Sequence, residues 1–260
     1  MTDMTGASDA VLLDVAAGIA VLTINRPQAR NAVNGAVASG IAGAIGELDA
    51  RKDVSVLVLT GAGGTFSAGM DLKGFLSGDN PMAGGRGFGG ITERPPEKPI
   101  IAAVEGYALA GGCELALACD LIVASQDAWF GLPEVTRGLV AGAGGLLRLP
   151  HRIPYHIAME TALTGERVPA ARLHDAGLIN RLVPAGEALA AARELATRIA
   201  ANAPLALAAT KRIIVESADW PSAHAFAKQA EISAPVFGSK DAIEGAAAFA
   251  EKRPPVWRGE

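Results

Sequence analysis

The chain has little cysteine and few aromatic residues. Its 260 residues include two cysteines, and Phe, Tyr and Trp together make up 5%. The pair, Cys113 and Cys119, sits close together in an apolar run with no sign of secretion around it. Buried free thiols are therefore expected, not a disulfide framework. Long apolar runs are also missing: the longest stretch, residues 100–125, is broken by Glu105, Glu114 and Asp120, whereas a membrane span needs about 20 uninterrupted apolar residues. The N-terminus, MTDMTGASDA, has no basic segment followed by an apolar run. It reads as a short frayed tail and not a signal peptide, so a cytoplasmic protein is expected. No sign of charge dominates: 23 Lys+Arg against 27 Asp+Glu leave a net charge of −4. That excludes the basic footprint of a nucleic-acid binder. The four histidines lack ligand spacing, His151 and His156 being five apart, and no metal site is read.

What remains is a core of Ala, Val, Leu and Ile in a chain that is 50% hydrophobic, long enough for one or two domains. The first half alternates strands and helices. Val11–Leu13 and Ile19–Ile24 read as a hairpin, and residues 31–49 carry Val33, Val37, Ile41, Ile45 and Leu48 at helical spacing. VSVLVLT at 54–60 is a strand covered on both faces. Two more buried strands, 100–104 and 121–124, flank a helix starting near Gly112. This is the pattern of an α/β domain. From about Pro154 the chain is mostly helical, with a short strand at 178–183 and four helices over 185–202, 204–217, 221–237 and 239–252. The organisation expected is an α/β core over 1–183 and a helical region over 184–260 that packs on the core or on other subunits. Residues 74–99, rich in Gly and Pro, have the composition of a mobile flap or a tolerated insertion.

The glycines mislead first. GAGG at 61–64 follows a strand, but no GxGxxG is present, no acidic residue closes a βαβ unit about 20 residues on, and there is no phosphate loop. Ser67–Leu72 (SAGMDL) has small residues that let backbone approach a ligand, as an ordinary turn also would. The stretch 106–114 (GYALAGGCE) says more. Gly-Gly at a helix start gathers free N–H groups and the positive end of the dipole at one point, as oxyanion stabilisation requires. Glu114 follows amid apolar neighbours, and a buried carboxylate needs a reason. Glu134, twenty residues on in WFGLPE, is the second carboxylate, and GAGG at 142–145 offers another glycine-lined approach. Two carboxylates at adjacent strand ends form a candidate acid/base pair.

These runs carry a resemblance. AVEGYALAGGCELALACDLIVAS, FGLPEVTRGLVAGAGGLLRL, the upstream FSAGMDL and NRPQARNAV, and the terminal FAEKRPPVW together resemble the enoyl-CoA hydratase (crotonase) family over nearly the whole chain. The resemblance implies a spiral of ββα units, a helical C-terminal trimerisation region, a homotrimer or dimer of trimers, and an acyl-CoA thioester as substrate. No cofactor is implied beyond the CoA of that substrate. The N–H groups of Met70 and Gly111 match the family's oxyanion hole, and Glu114 and Glu134 match its two carboxylates. Ala68, Asp71 and Leu72 match the segment that lines CoA, and Gly142 matches a glycine near the water and acyl group. Phe249 and Lys252 match C-terminal positions that touch CoA, on a neighbouring subunit. Two departures stand out: Ala141 replaces the usual Pro, and Ala110 the first Gly of a GGG run. The activity implied is hydration of a trans-2-enoyl-CoA to a 3-hydroxyacyl-CoA. An enoyl-CoA isomerase, a thioester hydrolase and a non-catalytic CoA-binding subunit are the alternatives. Isomerases of the family commonly keep only the Glu matching Glu134, so Glu114 counts against the first.

Overall fold

β-Branched runs and short turns build the first layer. In the computed structural model, which describes residues 9–260, strands β1 (Val11–Ala16) and β2 (Ile19–Ile24) form the expected antiparallel hairpin. The N-terminal tail expectation falls, but for Asp9 and Ala10, outside the described residues. Helix α1 (Gly35–Ala50) is capped by Asn34, whose side chain accepts from the Val37 N–H, and so starts later than the apolar spacing alone suggests. After it come β3 (Val56–Gly61), the short α2 (Leu72–Leu76), β4 (Ile100–Val104), β5 (Tyr107–Leu109), α3 (Gly111–Ala118), β6 (Leu121–Ser125) and β7 (Trp129–Gly131). Then follow α4 (Gly145–Arg148), α5 (Tyr155–Thr164), β8 (Val168–Pro169), α6 (Ala170–Asp175) and β9 (Arg181–Val183). The C-terminal helices are α7 (Ala188–Ala200), α8 (Pro204–Glu216), α9 (Ala225–Phe237) and α10 (Lys240–Glu251).

The main sheet runs β1-β2-β3-β4-β6-β9, parallel from β2 onward. A second sheet, β5-β7-β8, stands beside it; its strands are two or three residues long, too short for the sequence to reveal them. Side chains alternate across the main sheet. Leu57 and Leu59 join the cluster under α1 and α3, whereas Val56 and Val58 face Ala192 and Ala196 of α7. The alanines of α7 buried every fourth residue (188, 192, 196) let it lie close on β3, β4 and β6. It completes the core's second face, just past the expected boundary at 183. Helices α8 and α9 bury no residue, and Phe226 and Phe237 are over three-quarters exposed. No helix among the described residues is long and apolar enough to cross a membrane.

The segment 74–99 divides in two. Its outer part is mostly exposed, but residues 86–92 are buried. Arg86 pairs with Asp49 of α1 at 3.3 Å, and Gly90 packs on the α1 backbone. The inner half is thus packed into the core and is not a flap, because its glycines let backbone lie directly on helices.

Candidate active site

Three backbone ribbons run side by side beyond the ends of β3, β4 and β6. Ser67 bridges Ala108 in parallel, and Met70 bridges Val33. Ala110 donates its N–H to the Gly131 carbonyl at 2.9 Å, which ties the end of β5 to the end of β7. Ser67 holds this arrangement from below. Its hydroxyl donates to the Asn31 carbonyl and accepts from the Gly69 N–H. Asn31, buried and left-handed at φ 54°, donates through Nδ2 to the carbonyls of Ala62 and Thr65. Its sequence position suggests the start of a helix, and its role as a loop anchor is not legible there.

At the head of these ribbons stand Met70 and Gly111. Helix α3 begins at Gly111, and neither this N–H nor that of Met70 finds an acceptor among the described residues. A Cβ on Gly69 would lie 3.0 Å from the Gly111 nitrogen, so the two donors sit on adjacent backbones. A side chain at Gly111 would strike the Phe88 ring at 2.5 Å, and one at Gly112 the Ser67 carbonyl at 2.2 Å. The Gly-Gly pair is therefore required by close approach as well as by chemistry. Ala110, preceding it, is held at φ 51°, ψ −129°, a conformation that favours glycine.

Glu114, in the first turn of α3, is 3% exposed. Its Oε1 accepts from the N–H groups of Ala143 (2.7 Å) and Gly145 (2.9 Å), so the 142–145 loop forms a cradle for it. Gly142 opens that loop and is itself exposed; a Cβ there would meet only the Val140 carbonyl, at an ordinary contact distance of 3.8 Å. Glu134 lies in the 3-10 turn Pro133–Arg137 just after β7. Its Oε2 is buried and has no hydrogen-bond partner among the described residues. Burial pushes the Glu114 carboxyl up from its ordinary value; the nearby Glu134 charge adds to this, against the two backbone N–H groups and Arg148. Burial likewise raises Glu134. One buried, anchored carboxyl group and one half-buried carboxyl group with an unpartnered oxygen thus stand beside two free amide donors.

The other sequence-assigned residues are placed differently. Ala68 donates to the Arg30 carbonyl in the same ribbon as Met70. Asp71 has its carboxylate engaged. It caps α2 through the Gly74 N–H and pairs with Arg26 at 2.9 Å, and both hold it below the usual carboxylate range. Leu72 is 46% exposed at the start of α2. Phe249 is 88% exposed on α10, and Lys252 closes that helix in the left-handed region. No hydrogen bond joins either to the Met70–Gly111–Glu114 group among the described residues. A cavity of about 850 Å³ between α8–α9 and the core, lined by Asp120, Arg148, Arg152 and Lys211, contains neither site carboxylate.

A parallel α/β spiral with two free backbone donors, a buried carboxyl group on the helix that one of them opens and a half-buried one just past β7 is the architecture of acyl-thioester enzymes of the crotonase fold. The family model for enoyl-CoA hydratase/isomerase matches residues 14–260, and the chain belongs to that family. It is 41% identical over 246 residues to a carnitinyl-CoA dehydratase of Salmonella typhi, covering 92% of this chain and 94% of that one. Among solved structures it resembles an enoyl-CoA hydratase from Mycobacterium tuberculosis H37Rv, with 60% identity, a TM-score of 0.95, and coverage of 97% and 100%. A carnitinyl-CoA hydratase from Mycobacterium avium is also similar, at 43% identity and a TM-score of 0.78, covering 98% of this chain and all of that one.

Proposed function

We propose that the protein catalyses reversible addition of water to a trans-2-enoyl-CoA, giving a 3-hydroxyacyl-CoA. The observation that carries this reading is the pairing of Glu114 and Glu134 beside the free N–H groups of Met70 and Gly111. As water attacks C3 of the conjugated thioester, negative charge moves to the carbonyl oxygen. Met70 and Gly111 donate to that oxygen, and one such donor is worth about 10²–10³ in rate. Glu114, with Oε1 fixed by two N–H groups, presents its other oxygen as base to the water. Glu134, half-buried with an unpartnered Oε2, is the proton source for C2. The C3–O bond forms as the water proton passes to Glu114; the C2–H bond forms as the Glu134 proton leaves. In reverse the same groups dehydrate a 3-hydroxyacyl-CoA.

CoA enters with the substrate, and no other cofactor is used. Ala68 and Leu72 line its path, Asp71 holds that segment in place, and Gly142 leaves room at the acyl end. Phe249 and Lys252 act from a neighbouring subunit in a homotrimer or dimer of trimers. The exposed Phe226 and Phe237 of α9 support such self-association. Similarity to carnitinyl-CoA dehydratases supports a second, narrower reading: a 3-hydroxyacyl group that bears a quaternary ammonium. The test is loss of enoyl-thioester absorbance with crotonyl-CoA, a long-chain 2-enoyl-CoA and crotonobetainyl-CoA, with product mass confirming the gain of water. Hydration of the first two supports the general reading, and hydration of the betaine thioester alone the narrower one. If CoA esters bind but none is hydrated, the water-addition chemistry is wrong.

A further inference from the structure

Beneath the loop that cradles Glu114 runs a side chain with no counterpart in the water-addition scheme. Arg148 ends the short helix α4, one turn past that loop. Its guanidinium folds back under the cradle, with Nη1 donating to the Ala143 carbonyl at 3.4 Å and Nη2 to the Thr92 carbonyl. A Cβ on Gly144 would lie 2.1 Å from Nη1, so nothing fits between fork and loop. The loop held this way presents the Ala143 and Gly145 N–H groups to Glu114. Through Thr92 the same fork grips the buried 86–92 segment, whose Phe88 packs on Gly111. One guanidinium therefore ties together the supports of the base and of an oxyanion donor.

We propose that Arg148 is a positioning residue for Glu114, fixing the 143–145 cradle and setting the positive charge that keeps Glu114 an effective base. The proposal rests on the water-addition reading of Glu114. A fixed planar fork suits the task, since one ammonium could not reach both carbonyls in a defined plane. The charged groups around Glu114 are few. Glu134 faces it from the 3-10 turn after β7, and Arg148 from α4. Arg152 stands next to Arg148 and donates to the Leu117 and Cys119 carbonyls at the far end of α3. Arg137 acts on Glu134. The Cys113 thiol, pushed up to about 12 by burial, stays neutral.

The test compares Arg148→Met, Arg148→Lys, Glu114→Gln and the double variant R148M/E114Q by hydration kinetics across pH and by thermal unfolding. Arg148→Met is expected to lower kcat about 10–100-fold with KM within about threefold, as misplacement of a catalytic group does. The acid limb of its kcat–pH profile moves to higher pH, because the charge that favours ionised Glu114 is gone. Arg148→Lys returns the limb toward its original position without restoring kcat. A merely structural arginine would lower the unfolding midpoint but leave the limb in place. Wild-type kcat and limb in a folded Arg148→Met overturn the proposal, as does Arg148→Lys behaving like Arg148→Met in its limb. Thermal unfolding reads the coupling without activity: Glu114→Gln should raise the midpoint at neutral pH more in the Arg148→Met background than in the wild type. Equal increments overturn the proposal. If Glu114→Gln keeps full turnover, the water-addition reading fails instead, and these increments still decide whether Arg148 and Glu114 are coupled.

Discussion

The two carboxyl groups proposed as the acid/base pair carry a cost in stability. Glu114 and Glu134 are acids whose folded-state carboxyls are raised above the ordinary 4.5 by burial. The folded chain therefore binds protons more tightly than the unfolded one. Their contribution to stability falls as pH rises from about 4.5 through the raised values, and the full penalty is felt above them. Glu114→Gln keeps an oxygen for the Ala143 and Gly145 N–H groups and removes the buried charge. It should unfold at a higher temperature than the wild type at neutral pH, with the gain vanishing below about pH 4.5, while turnover falls about 10²–10⁴-fold. A midpoint below the wild type at neutral pH would contradict this. Ala110 is a smaller case. Its φ of 51° and ψ of −129° suit glycine, and relief of that strain outweighs the entropy glycine adds to the unfolded chain. Ala110→Gly should stabilise the fold by about 1 kcal/mol in chemical denaturation and keep activity. The burial of Glu114 and the Gly-Gly helix start are legible in the sequence, because a Glu after two glycines amid apolar neighbours has little surface left to expose. Asn31, Phe88 and Arg148 are not. They act through contacts with residues distant in the chain, 31 positions for Asn31 and 56 for Arg148, and no local pattern records such contacts.

At the scale of elements, periodicity reveals the long pieces and misses the short ones. Helix α1, strands β2 to β4 and the C-terminal helices lie within a few residues of where the apolar spacing puts them. Asn34 and not Asn31 caps α1, because Asn31 turns its side chain onto the 62–65 loop. Strands β5 and β7 are three residues each, yet they pair Leu109 with Gly131, two residues before Gly111 and three before Glu134. The 86–92 stretch owes its packing to backbone contacts that glycines permit and to the largely buried Arg86–Asp49 pair. Breaking such a pair from one side costs about 3–5 kcal/mol. Arg86→Met should lose an amount of that order in denaturant titration and lower kcat as well, since Phe88 supports Gly111. Loss of stability with untouched turnover would separate this segment from the site.

For the whole molecule, α7 seals the second face of the sheet, while α8 and α9 bury no residue fully and leave Ile214, Val215, Phe226 and Phe237 exposed. Large exposed phenylalanines are unfavourable to leave in water. A stable assembly of several chains is therefore expected. Light scattering should report a trimer or hexamer for the wild type, and Phe226→Glu with Phe237→Glu should shift it toward single chains. An unchanged mass in that double variant would locate the interface elsewhere. The sequence shows that the tail needs something to pack on, but whether the core or another chain covers it depends on how three helices turn in space.

The most direct measurement is turnover of crotonyl-CoA by the wild type, Glu114→Gln and Glu134→Gln under one set of conditions, with acyl-CoA binding measured alongside. Hydration by the wild type, a loss of about 10²–10⁴-fold in each variant and binding that stays intact are the expected results. Near-full activity in either variant would contradict a water addition that uses Glu114 as base and Glu134 as proton source.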